Sequence, residues 1–202
     1  MKLEHLFENN KNWAESMEEK NPGIFEKLAQ HQNPTYLWVG CSDSRVPANE
    51  IIGLIPGDVF VHRNVGNIIY YNDMNFLSVL QYAIKELNIK DVIVCGHYGC
   101  GAIQAAMGNH RTGLIDNWLK KIQDLYYYNE NKFAGLNKQE KLNRLCELNV
   151  VEQAKTLART AVACEHWEDG HELNIHGMIY SLKDGLLKNL GETLTKDSEL
   201  YK

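Results

Sequence analysis

The sequence predicts an α/β fold: a central, mostly parallel β-sheet flanked by helices, with an N-terminal helical arm packing on a partner subunit. Three observations carry the prediction. Short segments rich in β-branched and aromatic residues alternate with helix-period segments, the pattern of a parallel sheet covered on both sides. With 44% hydrophobic and 23% charged residues over 202 positions, the chain has the ordinary globular mixture and is long enough to bury a core of its own. Helical sequence exceeds what so small a sheet can cover, which leaves some of it for contact with another copy.

Residues 1–33 read as the arm of a single domain spanning 1–202. An amphipathic, charge-rich helix opens it, and a second follows that Asn21 caps, with Pro22 at its first position. The alternative, that these helices pack on the chain's own core, stays open. Thr35 to Gly40, Asp58 to His62 and Asp91 to Gly96 read as buried strands, and Glu172 to Ile179 as a fourth. Asn72 to Leu87 forms a helix with Phe76, Leu77, Leu80, Ala83, Ile84 and Leu87 on one face. Leu114 to Tyr128 and a long run from Lys138 to Glu168 are further helices, with Asn129 to Asn137 a surface turn between them.

Charge and composition exclude several classes. A formal net charge of −5 without a basic stripe argues against nucleic acid, because phosphate binding needs concentrated Lys and Arg. The opening stretch MKLEHLFENNKNWAESMEEKNPG lacks the apolar run of a secretory signal, and no run approaches the roughly 20 apolar residues that span a bilayer. A cytoplasmic protein with no membrane partner is the expectation. Five cysteines, an odd number, make a poor disulfide framework, so metal binding or catalysis is the better reading of them.

Cys41 follows the strand TYLWVG directly, in the segment Cys41-Ser42-Asp43-Ser44-Arg45, and His97, Gly99, Cys100 and Gly101 follow DVIVCG in the same way. Ligand crevices in open α/β sheets form at such strand ends. Zinc favours thiolate and imidazole in tetrahedral geometry, and His97-x-x-Cys100 places two ligands on one tight turn. Two thiolates and one imidazole leave a fourth position for water or a carboxylate, the arrangement of catalytic sites rather than closed structural ones.

CSDSR at 41–45, HRNVGN at 62–67, CGHYGCGA at 95–102 and the later LCELNVVEQ at 145–153 resemble, in order and spacing, the signature of the β-class carbonic anhydrases. The resemblance implies an α/β fold and a homodimer often doubled to a homotetramer. It implies one Zn2+ per chain on Cys41, His97 and Cys100, and reversible hydration of carbon dioxide to bicarbonate by zinc-bound hydroxide. Within the CSDSR block, Arg45 offers a bidentate fork to Asp43. Asp43 then either accepts a hydrogen bond from the zinc water or, released, takes the fourth zinc position itself. Three neutral histidines bring the water on a carbonic anhydrase zinc to a pKa of about 7; two thiolates donate more charge, so activity is expected to climb on the alkaline side.

Some bacterial members of this class have an inhibitory bicarbonate pocket, for which Trp38, Arg63 and Tyr180 stand at matching places. The plainer alternative makes Trp38 and Tyr180 core aromatics and Arg63 a tie between strands. Where members often carry Glu after the Val46-Pro47-Ala48 segment, this chain has Asn49 and then Glu50, which leaves any bicarbonate contact from that loop in doubt. His62 reads as a core or supporting histidine, Cys95, Cys146 and Cys164 as buried thiols, and His166, His171 and His176 as too scattered for a second metal. Competing functions are hydrolysis of a related heterocumulene such as carbon disulfide, and a catalytically silent zinc or bicarbonate-sensing module.

Overall fold

Strands β1 (Tyr36–Cys41), β2 (Val59–Asn64), β3 (Asp91–His97) and β4 (Asn174–Tyr180) run parallel, and β5 (Leu187–Asn189) pairs antiparallel with β4, giving the order β2-β1-β3-β4-β5. The computed structural model describes residues 2–108, 111, 113–191 and 193–198. The unbroken apolar character of β1 has a direct cause: Leu37, Trp38 and Val39 are all fully buried, because both faces of the sheet are covered. Leu37 and Val39 point with Val92, Val94 and Ile175 toward α4 (Met74–Gln81) and α7 (Lys138–Ala158). Trp38 points the other way, with Ile93 and Cys95, and meets Ala48, Ile51 and Ile52 of α3 (Ala48–Ile52). A third cluster, built from Ile68, Ile103, Leu119, Ile122, Leu145 and Cys146, joins α5 (Gly101–Met107), α6 (Ile115–Tyr128) and α7. Each large side chain so buried contributes about 1.5–3 kcal/mol.

The helix expected over 72–87 begins at Met74, where the Asp73 carboxylate accepts from Asn75 N at 3.0 Å and Phe76 N at 3.3 Å, and finishes in a widened π turn over Tyr82–Glu86. The continuous helix expected from Lys138 to Glu168 is two helices. Thr160 divides them: its hydroxyl donates to Leu157 O at 2.8 Å and accepts from Ala163 N at 3.2 Å, ending α7 and starting α8 (Ala161–Glu168). The connection over 129–137 is more than a surface turn, since a short 3-10 helix, Glu130–Phe133, buries Phe133 against Tyr126 with ring centroids 4.8 Å apart.

Residues 1–33 form a compact unit of their own. It contains α1 (Glu4–Lys20) and α2 (Ile24–Gln30), with Trp13 and Phe25 in edge contact at 5.9 Å. Asn21 does not cap the start of α2. It ends α1, donating its N–H to Met17 O at 2.9 Å, and the chain turns through Pro22 and Gly23 before α2 begins at Ile24. Gly23 has φ 77°, a left-handed conformation that suits glycine and sets the turn one step later than Pro22 alone implied.

Candidate metal centre

Cys41 is the last residue of β1 and His97 the last of β3, and the two strands are paired in register, Gly40 against Cys95. The carboxyl edge of the sheet therefore presents both side chains together. The chain after His97 turns tightly through Gly99, at φ 69°, and returns Cys100 as the residue that leads into α5. The ligand atoms of Cys41, His97 and Cys100 all lie within 4.8 Å of one another, and all three residues are buried. The sulfurs are 3.9 Å apart. A tetrahedral metal with two sulfur bonds of about 2.3 Å sets its sulfurs about 3.8 Å apart, so the pair fits zinc.

His97 adds an independent fit. Its Nδ1 lies 3.1 Å from Tyr98 O, and since a carbonyl can only accept, that nitrogen carries the proton. Nε2 is left with a lone pair, buried, without a hydrogen-bond partner, and turned toward the thiols. A buried imidazole nitrogen in that condition is costly unless something binds it.

The two thiols share a proton unequally. Cys41 is drawn down, first by the Cys100 thiol donating to it and against the cost of burial. Cys100 is pushed up by the same contact and by burial. Cys95, packed with Trp38 and Ile93, is fully buried and raised by desolvation, as expected of a core thiol. Cys146 is buried under the centre, whereas Cys164 is only partly buried.

The Asp43 carboxylate is held by Arg45. Arg45 N and Nε donate to Oδ1 at 3.0 and 2.9 Å, and Nη2 donates to Oδ2 at 2.7 Å. That contact holds the carboxyl well below the usual carboxylate range. Oδ2 also stands 3.6 Å from His97 Nε2, so Asp43 borders the cluster while both of its oxygens are occupied.

Trp38 and Arg63 lie on the adjacent strands β1 and β2, and Tyr180 ends β4, with β3 between. Trp38 and Tyr180 share one hydrophobic cluster on the α3 side of the sheet. The Nε1 edge of the Trp38 indole lies against Gly40, where an added Cβ would clash with it, and that nitrogen is buried without a partner. Arg63 Nε donates to Cys41 O at 2.9 Å and Nη2 to Asp43 O at 2.6 Å, so its guanidinium is spent on the backbone beside the metal cluster. His62 is buried in edge contact with Phe76, its pKa lowered by burial. His166 and His171 stack at 4.8 Å, and His176 faces Asp91 at 2.9 Å; among the described residues only Cys41, His97 and Cys100 gather as metal ligands.

The sequence reading missed the residues that hold the turn between β2 and Ile69. Asn64 closes it on Ile68 from both sides, and Trp118, Lys121, Asn149 and Gln153 reach it from α6 and α7. The signal was present in LCELNVVEQ, where Asn149 and Gln153 stand one helical turn apart on a face that is otherwise apolar.

Fold and site together define a class: an α/β protein with a buried Cys-His-Cys group at metal-ligand spacing on the carboxyl edge of a parallel sheet, bordered by an arginine-held aspartate. Residues 36–187 match the family described as carbonic anhydrase. A carbonic anhydrase of Emericella nidulans is 45% identical over 186 residues, covering 92% of this chain and 82% of that one. The Coccomyxa β-carbonic anhydrase, solved in complex with acetazolamide, superposes with a TM-score of 0.92 at 36% identity, covering 96% of this chain and 88% of that one. One of two tetrameric β-carbonic anhydrases of Sordaria macrospora gives a TM-score of 0.89 at 36% identity, covering 96% and 98%. The chain belongs to the carbonic anhydrase family of lyases, in its β class.

Proposed function

We propose that this chain hydrates carbon dioxide reversibly to bicarbonate and a proton, using one zinc ion held by Cys41, His97 and Cys100. The observation that carries the reading is the buried, unpartnered Nε2 of His97 facing two thiols at metal spacing. Zinc, when bound there, acidifies water enough to supply hydroxide near neutral pH. The rest belongs to the chain. Asp43 Oδ2, beside His97 Nε2, is the hydrogen-bond acceptor for water at the centre, and Arg45 fixes its orientation. An Asp43 freed from Arg45 is close enough to compete for the fourth metal position, which makes the dyad a gate as well as a hydrogen-bond acceptor.

Bicarbonate inhibition from a separate site fits the same geometry. Arg63 ties down the Cys41 and Asp43 carbonyls, and an anion drawn to Arg63, with the free Trp38 indole N–H and the Tyr180 phenol as further donors, would compete for that guanidinium and loosen the Asp43 segment. Assembly as a homodimer or homotetramer is supported by α1, which buries no residue and leaves Leu6 49% and Phe7 69% exposed, the surface of an arm that packs on a partner subunit. The tetrameric Sordaria relatives agree with it. Five free cysteines suit a reducing, cytoplasmic setting, and no described helix is long and apolar enough to cross a membrane.

The test is a carbon dioxide hydration assay with and without a chelator. Hydration that rises on the alkaline side and is abolished by the chelator supports the reading. Hydration that survives complete removal of metal overturns it.

A further inference from the structure

Two residues separate the ligands His97 and Cys100, and only one of them has a side chain. Gly99 turns the chain at φ 69°, and a Cβ built there would meet nothing within 4 Å, nor would one at Gly101. Glycines in open space leave a backbone free to shift. Fixing this turn therefore falls to Tyr98, which is tied by its backbone and by its side chain. Its N–H donates to Tyr180 O at 3.0 Å, carrying the pairing with β4 one residue past the end of β3. Its phenol O–H donates to Glu147 Oε1 of α7 at 2.7 Å. Its carbonyl is the acceptor for His97 Nδ1 at 3.1 Å.

Glu147 is itself held in place. Arg144, one helical turn earlier on α7, brings Nη1 to 3.3 Å from Glu147 Oε2, which leaves Oε1 for the phenol. Lys188 of β5 sets its Nζ 5.6 Å from the centroid of the Tyr98 ring. A hydroxyl donating to an ionised carboxylate makes a bond about twice as strong as a neutral one, so the tie from the turn to α7 is a firm one. The Glu147 side chain is 27% exposed, and a carboxylate that reaches water needs no tyrosine to satisfy it. The bond is therefore of more use to the turn than to the helix.

We propose that Tyr98 and Glu147 are positioning residues for the metal centre: their hydrogen bond latches the His97–Cys100 turn onto α7 and so holds the Tyr98 carbonyl where it fixes the His97 imidazole, with Nε2 facing the thiols. The phenol acts through its own backbone rather than by contact with the reacting atoms. The inference rests on the metal reading above and adds to it a tie from a helix that supplies no ligand.

The test uses the full chain in Tyr98→Phe, Glu147→Ala, the two combined, Glu147→Gln and Leu157→Ala. Tyr98→Phe keeps the ring and deletes only the donor, while Glu147→Gln keeps an oxygen that accepts from the phenol. Leu157→Ala removes core packing from α7 in a cluster that excludes the metal ligands and controls for lost stability. Each protein is loaded with Co2+ to read the absorption bands of the metal site, and separately with Zn2+ to read its loss to a chelator. Tyr98→Phe and Glu147→Ala are each expected to shift the bands and weaken zinc retention by about tenfold. The combined variant should lose no more than either, because both substitutions break one bond, whereas Glu147→Gln and Leu157→Ala should stay close to the wild type. Wild-type bands and retention in either Tyr98→Phe or Glu147→Ala overturn the proposal, as do losses that add in the combined variant or an equal loss in Glu147→Gln or Leu157→Ala. Wild-type protein that takes up neither metal overturns the metal reading instead.

Discussion

Asp43 and Arg45 are clamped together by three hydrogen bonds of 3.0, 2.9 and 2.7 Å, one from the backbone and two from the guanidinium fork. The clamp lowers the Asp43 pKa, but an unperturbed aspartate, near 3.9, is already ionised at neutral pH. Arg45 therefore matters at pH 7 for where the carboxylate points rather than for its charge. Arg45→Ala is expected to retain zinc while turnover falls on the order of a hundredfold, the usual loss when a preorganised group at a reaction centre is released. Arg45→Lys should recover only part, since an ammonium cannot reproduce the fork. Metal content alongside steady-state rates checks both, and full activity in the alanine variant would sink the dyad.

Gly40 and Trp38 provide a test of the bicarbonate response. A methyl group at position 40 would come within 2.3 Å of the indole nitrogen, so Gly40→Ala must displace Trp38 from its buried place. Overpacking of this kind costs about 1–3 kcal/mol. If the pocket operates, the wild type depends on bicarbonate cooperatively, and Gly40→Ala turns that dependence hyperbolic at unchanged zinc content. Simple saturation in the wild type itself would remove the switch.

The centre of the sheet was legible because β1 and β3 are almost continuously buried runs, which mark themselves by β-branched and aromatic residues without needing alternation. The grouping of Cys41, His97 and Cys100 was legible because the first two end strands and the third follows on the turn after β3. Thr160 was not, since a single hydroxyl that closes one helix and opens the next leaves the surrounding 3.6-residue pattern intact. Nor was the 65–69 bracket: Trp118 and Asn149 act on backbone atoms far along the chain, and only folding shows which carbonyls they reach. β5, three residues long, owes its existence to pairing with β4 rather than to its own composition.

The arm makes a prediction about assembly. Leu6 and Phe7 are large, apolar and exposed on α1, which buries no residue of its own. Replacing both by Glu leaves the sheet and its ligands untouched in sequence, and is expected to lower the mass seen in sedimentation by weakening contact between copies. A variant that sediments with the wild type would assign the arm to its own chain.

Lys121 carries the most specific pH prediction. Its ammonium is sunk between Tyr70 and Tyr71, 5.6 and 5.7 Å from their ring centroids, and donates to Ile69 O and, at 2.8 Å, to Thr156 Oγ1. Burial lowers its pKa to about 8, against an opposing pull from Glu152. In the unfolded chain the value returns to about 10.4. Between those two values the unfolded state binds more protons than the folded one, so this residue's contribution to stability rises with pH across that window and is flat below it. Lys121→Met removes the titration while keeping an unbranched side chain in the slot. The melting temperature of the wild type relative to the variant should therefore climb by a few degrees between about pH 7 and pH 10, whatever the rest of the protein does. A difference that stays level, or falls, across that range would mean Lys121 keeps its proton, held there by its two acceptors and the faces of the two tyrosines.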